Sequence, residues 1–578
     1  MNMYGEYQIV DMPLSAGVVR SRVEAFLAEN GLRLEEVDRY IGIVDRDDKM
    51  VAGGGIRKDV LKCIAVSEEA RSGGLTGKLV NRLMQFGEEA GQSCLKVFTK
   101  PEYKDIFASL GFTLLAEAGK AVLMENGDGL RKYCNELMNH RRPGRCGAVV
   151  MNAAPLTWGH DYLVEKACES VDALFVIPVV EDTPGFSYRD RYQALASAWL
   201  EELKVDVCSG SPYAVSQATF PTYFLKDLSD AAETQMTLDI DIFARHIAPA
   251  LGVTVRFVGS EPSDALTARY NELMKKILPE HGIEVVEVPR LESEGRPVSA
   301  SEVRKAVAEG SFRRADAIAH PESMPMLVGA LASRALRMEL DLTPKPGLVD
   351  KNGSGAHKDM DHALMSASID AIVPFIHAMA SINPDDDVPA DMVELGIKAE
   401  QKMLAATGGV NTHKGAIFSL GLMATAFAQC YWEGETVGEK ALKSKISALA
   451  CGVPKSKDTH GAGMVSKYKV KGALQNAREG YPQLFKEWLP FYRKAKSDKH
   501  GLVKTLLLIM SQLEDTNVLY RKGPSAADKV RSSAREALKG FSEDRLKALC
   551  GKFAAEGVSP GGCADMLALT VFADSLLS

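Results

Sequence analysis

The pattern of apolar and polar positions changes twice along the chain. Up to about position 125, short apolar runs such as Tyr40–Val44 and Cys63–Val66 predict strands, with helical patterns between them. From Cys146 to about Phe312, apolar runs alternate regularly with helical patterns. After Met324 the apolar residues recur at helical spacing, and no convincing strand pattern remains. The sequence therefore predicts a multidomain protein with an α+β domain, an α/β domain and an all-α domain, in that order.

The middle block is typical of a doubly wound parallel sheet, because strands that alternate with helices pair in parallel through helical crossovers. The helical pattern Asp161–Glu169 follows the first of these strands almost directly. The predicted strands are Cys146–Met151, Ala173–Val180, Lys204–Cys208, Thr254–Val258 and Glu284–Val288.

The last block is predicted to be a bundle of helices with its polar motifs on the connecting loops. Its most apolar run, Ala416 to Trp432, is shorter than the roughly 18 residues of a spanning helix, so we predict a buried core helix. The predicted helices are Val328–Leu340, Asp361–Ile382, Ala390–Leu404, Thr412–Trp432, Lys504–Glu514 and Ala526–Leu538.

Two breaks in the pattern divide the chain. A polar connector ends in the run Asn139–Arg145, whose Arg, Pro and Gly residues are typical of a linker. We therefore predict a first domain at 1–125, a linker at 126–145, a second domain at 146–317 and an all-α domain at 324–578.

Composition and charge exclude several classes of protein. A chain of 578 residues is too long for one core. Its net charge of -7 offers no basic excess, so nucleic acid is not expected as a partner. The 10 cysteines are scattered without a C-x-x-C pair, which favours reduced cytosolic thiols over disulfides or a zinc site. The first residues lack a basic and apolar leader, so we expect a cytoplasmic protein without a membrane partner.

A glycine-rich turn in the first block is a candidate phosphate site. The segment 71–79 reads RSGGLTGKL and leads from a strand into a helix, which directs backbone amides at one point. It resembles the pyrophosphate loop of the N-acetyltransferase superfamily, so the first domain is expected to be acetyltransferase-like. The resemblance implies coenzyme A contacts at Arg71, Gly74 and Thr76, although such a turn can also be purely structural.

The second block carries two motifs near its ends. Thr157–His160 follows the first strand of the sheet, where ligands lie in open α/β folds, and Ser299–Arg304 has the form S-x-S-x-x-R. The pair resembles the signatures of adenylyl-transferring nucleotidyltransferases. This resemblance implies ATP contacts at Thr157 and Gly159 and a catalytic role for His160 at the phosphates. It also implies a catalytic Arg304 that holds pyrophosphate together with Ser299 and Ser301.

Local sequence narrows this resemblance to citrate lyase ligases. The supporting segments are QATFPTYFLK at 217–226, GSEP at 259–262 and YNELM at 270–274. Ligases of this family carry an acetyltransferase-like domain in front, and the resemblance covers about Tyr4 to Ala317. It implies formation of acetyl-adenylate from acetate and ATP, then transfer of acetyl to the prosthetic-group thiol of the lyase acyl-carrier subunit. Ala154 departs from the family, which usually has Asn there, while Lys226 and Arg189 are weaker candidates.

The last block carries four polar clusters. The segment 408–416 reads GGVNTHKGA and combines glycines, a histidine and a lysine where a helix begins, which suits an anion beside a proton carrier. The others are TPKPGLVD at 343–350, GAHKDMD at 355–361 and SPGGCAD at 559–565. Together they resemble the triphosphoribosyl-dephospho-coenzyme A synthase family.

The implied reaction joins the 2′-hydroxyl of dephospho-coenzyme A to C1 of the ATP ribose and expels adenine. It calls for a proton donor, a carboxylate near the sugar, Mg²⁺ and cations for the triphosphate. We assign Asp359 and Asp361 as catalytic residues and Mg²⁺ ligands, and His413 as catalytic. Helix capping or surface charge is the alternative for each. The predicted nucleotide contacts are Lys345, Gly409, Asn411, Lys414 and Arg521, and further candidates are Glu339, Asp350, His357, His460, Asp515 and Asp565.

The sequence thus predicts a bifunctional maturation enzyme for citrate lyase, a ligase and a transferase with ATP, acetate and dephospho-coenzyme A as substrates. Two alternatives stay open. One is equivalent service to malonate decarboxylase, which acyl preference would reveal. The other is a nonenzymatic coenzyme A sensor, which would show no ATP–pyrophosphate exchange.

Overall fold

The computed structural model describes residues 7–214, 228–261, 264–293, 295–434, 437–454, 468 and 470–578. The chain forms two compact units. The first unit comprises Met1–Ala153, Gly159–Asp182 and Ser187–Pro297. The second unit comprises Ala154–Trp158, Thr183–Phe186 and Val298–Ser578. Both large sheets lie in the first unit, and the described part of the second unit is helical, so the four-part division predicted from the sequence stays a prediction.

The first sheet has seven strands in the order β1-β2-β3-β4-β5-β7-β6. Neighbouring strands in this sheet are antiparallel, except that β4 and β5 are parallel. The strands are β1 Gln8–Asp11, β2 Arg39–Val44, β3 Met50–Arg57, β4 Val60–Val66, β5 Leu95–Thr99, β6 Thr113–Ala118 and β7 Ala121–Asn126. The helices are α1 Gly17–Glu29, α2 Leu75–Glu89 and α3 Lys104–Ser109, with 3-10 turns at Glu68–Gly73 and Pro101–Tyr103.

The parallel strands β4 and β5 are paired only near their beginnings. Val60 pairs with Lys96 and Leu61 with Val97, and the described residues of the two strands form no further pair. Beyond the unpaired end of β4, the chain continues into the glycine turn that starts α2. This helix is amphipathic, and its buried Leu79, Val80 and Leu83 hold it against the sheet.

The second sheet is the parallel sheet that the alternating pattern predicts. Its order is β10-β9-β8-β11-β12, and every pair in it is parallel. The strands β9 and β10 therefore lie on one side of β8, and β11 and β12 lie on the other. In such sheets, ligands bind at the C-terminal ends of the strands, next to the point where the strand order reverses. The strands are β8 Cys146–Met151, β9 Ala173–Pro178, β10 Val205–Val207, β11 Val253–Gly259 and β12 Glu284–Val288.

The helices around this sheet include one inside the predicted linker. Leu130, Tyr133 and Leu137 of α4 are buried in the core of the second sheet, so segment 126–145 is partly an ordered element rather than a solvated connector. The helices are α4 Gly129–Met138, α5 Trp158–Cys168, α6 Tyr188–Ala198, α7 Leu228–Ile242, α8 Ala248–Leu251 and α9 Ala265–Ile277. A π turn at Phe243–Ile247, a 3-10 turn at Leu278–His281 and the short strands β13 Glu292–Ser293 and β14 Arg296–Pro297 complete the unit.

The second unit is built around two helices whose residues are mostly buried, α15 and α23. Each of them packs against α12, and they also pack against each other. Its helices are α10 Ala300–Glu309, α11 Phe312–Asp316, α12 Met324–Asp341, α13 His362–Ala380, α14 Val388–Ala406, α15 Lys414–Trp432, α16 Glu439–Gly452, α17 Ala473–Arg478, α18 Leu489–Ala495, α19 Gly501–Gln512, α20 Thr516–Lys522, α21 Pro524–Lys539, α22 Glu543–Glu556 and α23 Gly561–Leu577, with a 3-10 turn at Pro321–Ser323 and a π turn at Leu484–Trp488.

One described helix, α13, is long and apolar enough to cross a membrane, judged by length and composition alone. A core helix passes the same test. The helix packs against α12, α14 and α15, and its fully buried Ser368 hydrogen-bonds His413. One face of α13 therefore packs against the neighbouring helices of the second unit.

Candidate active sites

The loop after β8 is held in the first unit by a buried arginine. Arg191 of α6 is fully buried, and its Nη1 donates to the carbonyl of Asn152 at 2.5 Å and to Asn152 Oδ1 at 2.9 Å. Its Nη2 donates to the carbonyl of Glu181 at 2.6 Å. The guanidinium thus ties together the loops that follow β8 and β9. Arg189, a weaker candidate from the sequence, is exposed and lies two residues earlier.

His160 lies in the first turn of α5, beyond the end of β8, as the motif predicts. Burial lowers the pKa of His160 to about 4, and the positive charge of Arg290 adds to this effect. The imidazole is therefore neutral near pH 7. It can hydrogen-bond a phosphate but does not supply a positive charge.

Arg290 is a site residue that does not figure among the sequence-based candidates. It follows β12, and its Nε donates to the carbonyl of Ser260, which follows β11, at 2.9 Å. A further Arg290 N–H donates to the carboxylate of Glu261. The GSEP motif is therefore anchored to the strand end next to it, and the described part of the first unit brings His160, Arg290 and Ser260 to the C-terminal edge of the sheet. The position of Arg290 just beyond a predicted strand was the available signal.

Thr157 and the S-x-S-x-x-R motif belong to the second unit and lie together there. Arg304 Nη1 donates to the carbonyl of Ala154 at 2.5 Å, and the buried Thr157 forms a bridge with Ala319. Ser299 caps α10 by accepting from the N–H of Glu302 at 3.4 Å, and Ser301 Oγ lies 3.0 Å from Ser299 Oγ. Arg304 therefore fixes the segment immediately before the T-x-G-H motif.

The glycine turn of the first unit has the geometry of a helix start without a side-chain cap. Gly74 has φ of +64°, which favours glycine, and no side chain of the described residues caps the first N–H groups of α2. Arg71 is exposed and Thr76 is half-buried in the first turn of α2. The three predicted coenzyme A residues thus lie in or just before a helix start without a side-chain cap, and their role stays a prediction.

A buried ion pair lies at the centre of the second unit's polar motifs. Lys345 Nζ donates to the Oε1 of Glu339 at 2.7 Å and to its carbonyl at 2.8 Å, and both side chains are buried. The charge of Lys345 is neutralised inside the protein, which differs from its predicted role as a phosphate-binding cation. Asp350 accepts the backbone N–H groups of Lys345, Asn352 and Gly353, so it shapes its own loop.

His413 is buried beside this ion pair. Its Nδ1 lies 2.7 Å from Ser368 Oγ, which also lies 2.6 Å from Thr412 Oγ1. Its Nε2 is buried and has no hydrogen-bond partner among the described residues. Burial lowers the pKa of His413 to about 4, with a contribution from the charge of Lys345. The result is a neutral imidazole with one unused nitrogen, in the position that the GGVNTHKGA segment predicts.

Asp565 lies against the start of α15. It accepts a backbone hydrogen bond from Ala416, and a Cβ at Gly415 would collide with Asp565 Oδ2. The glycine therefore permits this approach. Burial raises the pKa of Asp565 well above its usual range, and the carboxyls of Glu339 and Asp515 raise it further. Asp565 is thus a candidate for a carboxyl group that stays protonated at neutral pH.

Asp515 and Tyr481 complete this group. Asp515 caps α20 through the N–H groups of Asn517 and Val518 and also accepts from the N–H of Cys563 at 3.0 Å, so it joins two helix starts. Tyr481 is buried, its hydroxyl has no partner within the described ranges, and the charge of Asp565 raises its pKa further after burial. We call Glu339, Lys345, His413, Tyr481, Asp515 and Asp565 the inner cluster.

A second group, the outer cluster, comprises His357, Asp359, Arg521 and Ser559. His357 Nε2 lies 2.6 Å from Ser559 Oγ, and its Nδ1 lies 3.7 Å from an oxygen of Asp359. Burial and the charge of Arg521 lower the pKa of His357, while Asp359 opposes them. The structure thereby brings together the GAHKDMD and SPGGCAD segments and Arg521.

The remaining predicted residues occupy helix starts. Asp361 caps α13 by accepting from the N–H of Leu364 at 2.8 Å, and Asn411 Oδ1 accepts from the N–H of Lys414 at 3.4 Å. Lys414 is exposed and pairs with Glu400 at 2.7 Å. Gly409 has φ of +91° in the preceding loop. The predicted His460, Lys226 and the rest of segment 217–226 lie outside the described residues.

One group outside these sites has the composition of a metal site. Ligand atoms of His140, Asp206 and Cys208 lie within 4.8 Å of one another. Arg142 lies 3.5 Å from Asp206, and burial raises the pKa of the Cys208 thiol far above its usual range. A neutral thiol beside a guanidinium does not favour a cation, so we assign no metal there.

Comparison with known proteins assigns the two parts of the chain. The family model for the citrate lyase ligase C-terminal domain matches residues 146–323, and that for ATP:dephospho-CoA triphosphoribosyl transferase matches residues 325–578. A [Citrate [pro-3S]-lyase] ligase of Klebsiella pneumoniae is 40% identical over 316 residues, covering 54% of this chain and 92% of that protein. A "Probable 2-(5''-triphosphoribosyl)-3'-dephosphocoenzyme-A synthase" of Azotobacter vinelandii is 38% identical over 265 residues, covering 43% of this chain and 90% of that protein.

The chain belongs to both families. Its ligase part carries His160 and Arg290, and its synthase part carries both polar clusters. The family resemblance predicted from the sequence is confirmed. Within the synthase part, the role of Glu339 was left open at the level of sequence, and Ser368 and Tyr481 were not among the candidates. Glu339 lies one turn before the TPKPGLVD loop. Neither Ser368 nor Tyr481 has a local signal, because Ser368 contacts His413 and Tyr481 is affected by the charge of Asp565, and both of these residues are distant in sequence.

Proposed function

We propose that this protein is a bifunctional maturation enzyme of citrate lyase. The observation that carries the proposal is that one chain matches two different enzymes, each over at least 90% of that enzyme's length. The ligase part activates acetate with ATP and acetylates the prosthetic-group thiol of the lyase acyl-carrier subunit. The synthase part makes the precursor of that prosthetic group from ATP and dephospho-coenzyme A. We expect both reactions to take place in the cytoplasm.

In the ligase part, ATP binds at the C-terminal edge of the parallel sheet. His160 donates a hydrogen bond to the phosphates as acetate attacks the α-phosphorus and pyrophosphate leaves. Arg290 is the charged residue beside the neutral His160, and its guanidinium is paired with Glu261. The family resemblance implies ATP contacts at Thr157 and Gly159 and pyrophosphate contacts at Ser299, Ser301 and Arg304.

In the synthase part, Asp565 is the acid that protonates the departing adenine. Adenine is a poor leaving group as an anion, so a carboxyl group with a raised pKa is suited to this step. The Nε2 of His413 accepts the proton of the attacking 2′-hydroxyl, since it is neutral and carries no other hydrogen bond within the described residues.

The Mg²⁺ that accompanies a triphosphate fits Asp359 of the outer cluster and Asp361, two residues later, better than it fits the inner cluster. Asp359 is largely exposed and Asp361 uses only one oxygen in capping α13, so both retain oxygens for a cation. In the inner cluster, Glu339 is neutralised by Lys345, and Asp515 is occupied by backbone N–H groups. Lys414 and Arg521 are the exposed cations beside the triphosphate, and bound Mg²⁺ would neutralise part of its charge.

The acetyltransferase-like fold of the first sheet is a further part of this proposal. The gap between β4 and β5 and the uncapped start of α2 support a coenzyme A moiety near Arg71, Gly74 and Thr76. This region would hold the coenzyme A-like arm of the prosthetic group while acetyl is transferred.

Two assays on the purified protein test the two halves. With ATP, Mg²⁺ and dephospho-coenzyme A, we expect free adenine and a triphosphoribosylated product detected by mass spectrometry. With acetate, ATP and labelled pyrophosphate, we expect acetate-dependent exchange of label into ATP. Absence of both activities would favour a coenzyme A-binding sensor. A preference for malonate over acetate would indicate that the protein matures malonate decarboxylase instead of citrate lyase.

A further inference from the structure

The inner cluster contains one polar atom that the proposed chemistry has not used, the hydroxyl of Tyr481. Tyr481 is 3% exposed, and its hydroxyl has no hydrogen-bond partner in the part of the chain that the structure describes. A buried hydroxyl without a partner destabilises the fold, because it has lost its hydrogen bonds to water. Phenylalanine would fill the same space without this cost, so an unpaired hydroxyl at such a position indicates a use in binding or catalysis.

The backbone at Tyr481 supports the same conclusion. Its φ is +49°, in the left-handed region that a bulky side chain rarely adopts. The preceding Gly480, with φ of +71°, and the hydrogen bond from Tyr481 N to the carbonyl of Asn476 end α17 at this point. The backbone at Tyr481 is therefore in an unfavourable conformation, and this conformation places the ring in the buried interior of the second unit.

The charges around the hydroxyl indicate which part of a nucleotide it meets. The carboxyl groups of Glu339 and Asp515 lie near that of Asp565, and the cation beside them, Lys345, is already paired with Glu339. This environment therefore offers no free positive charge to a triphosphate. It suits the neutral end of ATP, where the ribose joins adenine.

We propose that Tyr481 is a further catalytic residue of triphosphoribosyl transfer, whose hydroxyl donates a hydrogen bond to the nucleotide at the bond between ribose and adenine. This inference rests on the proposed function of the synthase part. The bond from C1 to the base nitrogen breaks and leaves its electron pair on adenine, which takes a proton from Asp565. The new bond joins C1 to the 2′ oxygen of dephospho-coenzyme A, whose proton passes to His413. Tyr481 shares the charge that develops on the base and transfers no proton.

The decisive variant is Tyr481→Phe, which removes one oxygen and keeps the ring. We expect kcat for adenine release to fall ~10- to 100-fold, as for loss of one preorganised donor, while Tm is at least that of wild type and acetate-dependent exchange is unchanged. The matched control is Tyr492→Phe. Tyr492 lies in α18 of the same unit and is equally buried, but the charges near it are those of Asp574 and Arg334. The kcat of Tyr492→Phe for adenine release should therefore equal that of wild type.

A double-mutant cycle tests whether Tyr481 acts on the same departing base as Asp565. If both assist adenine, Tyr481→Phe added to Asp565→Asn should cost much less than it costs in wild type. A wild-type kcat in Tyr481→Phe, or losses that multiply in the double variant, would overturn the inference. If wild type itself released no adenine, the proposed function would fail first, so the two failures are distinguishable.

Discussion

At the scale of single residues, the charge state of a few buried groups decides what each site can do. His160 and His413 are both held neutral by burial and a nearby cation, and Asp565 is held protonated by burial and neighbouring carboxyls. None of these states follows from the residue type. Each arises because burial disfavours the charged form, and neighbouring charges of the same sign as that form add to the effect.

The neutral state of His413 predicts a pH dependence of stability. Its pKa is about 4 in the folded protein, against 6.5 for an ordinary solvated histidine, so the unfolded chain binds the extra proton between these values. The free energy of unfolding has its full value above pH 6.5, and it decreases as the pH falls toward 4. At pH 5 the loss is about 2 kcal/mol.

Thermal unfolding of wild type and His413→Gln at pH 7.5 and pH 5 measures this effect. The variant should be the less stable at pH 7.5, because it loses the contact with Ser368. At pH 5 the gap in Tm should narrow, since only wild type carries an imidazole that must stay unprotonated in the folded state. A gap independent of pH would mean that His413 is not buried in its neutral form.

Gly415 predicts a second effect at this scale. In Gly415→Ala the new Cβ would collide with Asp565 Oδ2, so Asp565 must move from the start of α15. We expect adenine release to fall ~100-fold or more, because displacing a catalytic group by about 1 Å already costs this much. In the control, Gly551→Ala, the added methyl of α22 meets nothing within 4 Å, and the helix should gain up to about 1 kcal/mol. Undiminished adenine release in Gly415→Ala would remove Asp565 from the mechanism.

At the scale of elements, periodicity predicts most of the long helices but not the contacts between distant segments. The apolar repeats of α12, α13, α14 and α15 predict these helices to within a few residues. The short α17, α18 and α20 are not among the predicted helices because two turns or fewer carry too little repeat, and a π turn interrupts the pattern before α18. The longer α16 and α22 are also not among them. The sequence predicts a phosphate contact for Lys345 because its partner Glu339 lies on a different element, and Arg290 escapes prediction for the same reason.

Arg191 shows how one contact between elements positions a site. It ties the loop after β8 to the loop after β9, and a single ammonium cannot reproduce its three hydrogen bonds. In Arg191→Lys we expect acetate-dependent exchange to fall at least ~10-fold and Tm to fall by several degrees, with adenine release retained. The exposed Arg189→Lys, two residues away, should match wild type in both assays. If Arg191→Lys kept full exchange, the loop after β8 would not depend on this contact.

At the scale of the whole molecule, the chain joins two chemistries that share ATP but break different bonds. In the proposed reactions, the ligase part cleaves ATP between the α- and β-phosphates, and the synthase part keeps the triphosphate and cleaves the bond to adenine. Each is assigned to its own residues, and the two family models meet without overlap between positions 323 and 325. The two activities should therefore fail independently.

Paired variants test this independence. His160→Ala should reduce acetate-dependent exchange by ~100-fold or more while adenine release stays at the wild-type rate. Lys414→Ala should raise the ATP concentration needed for adenine release, because an exposed cation beside the triphosphate contributes to binding, and should leave exchange unchanged. Each variant is tested in both assays. Only exchange should change in His160→Ala, and only adenine release should change in Lys414→Ala. Equal loss of both activities in a folded variant would mean that one ATP site serves both reactions, and the assignment of the inner cluster to adenine release would fall with it.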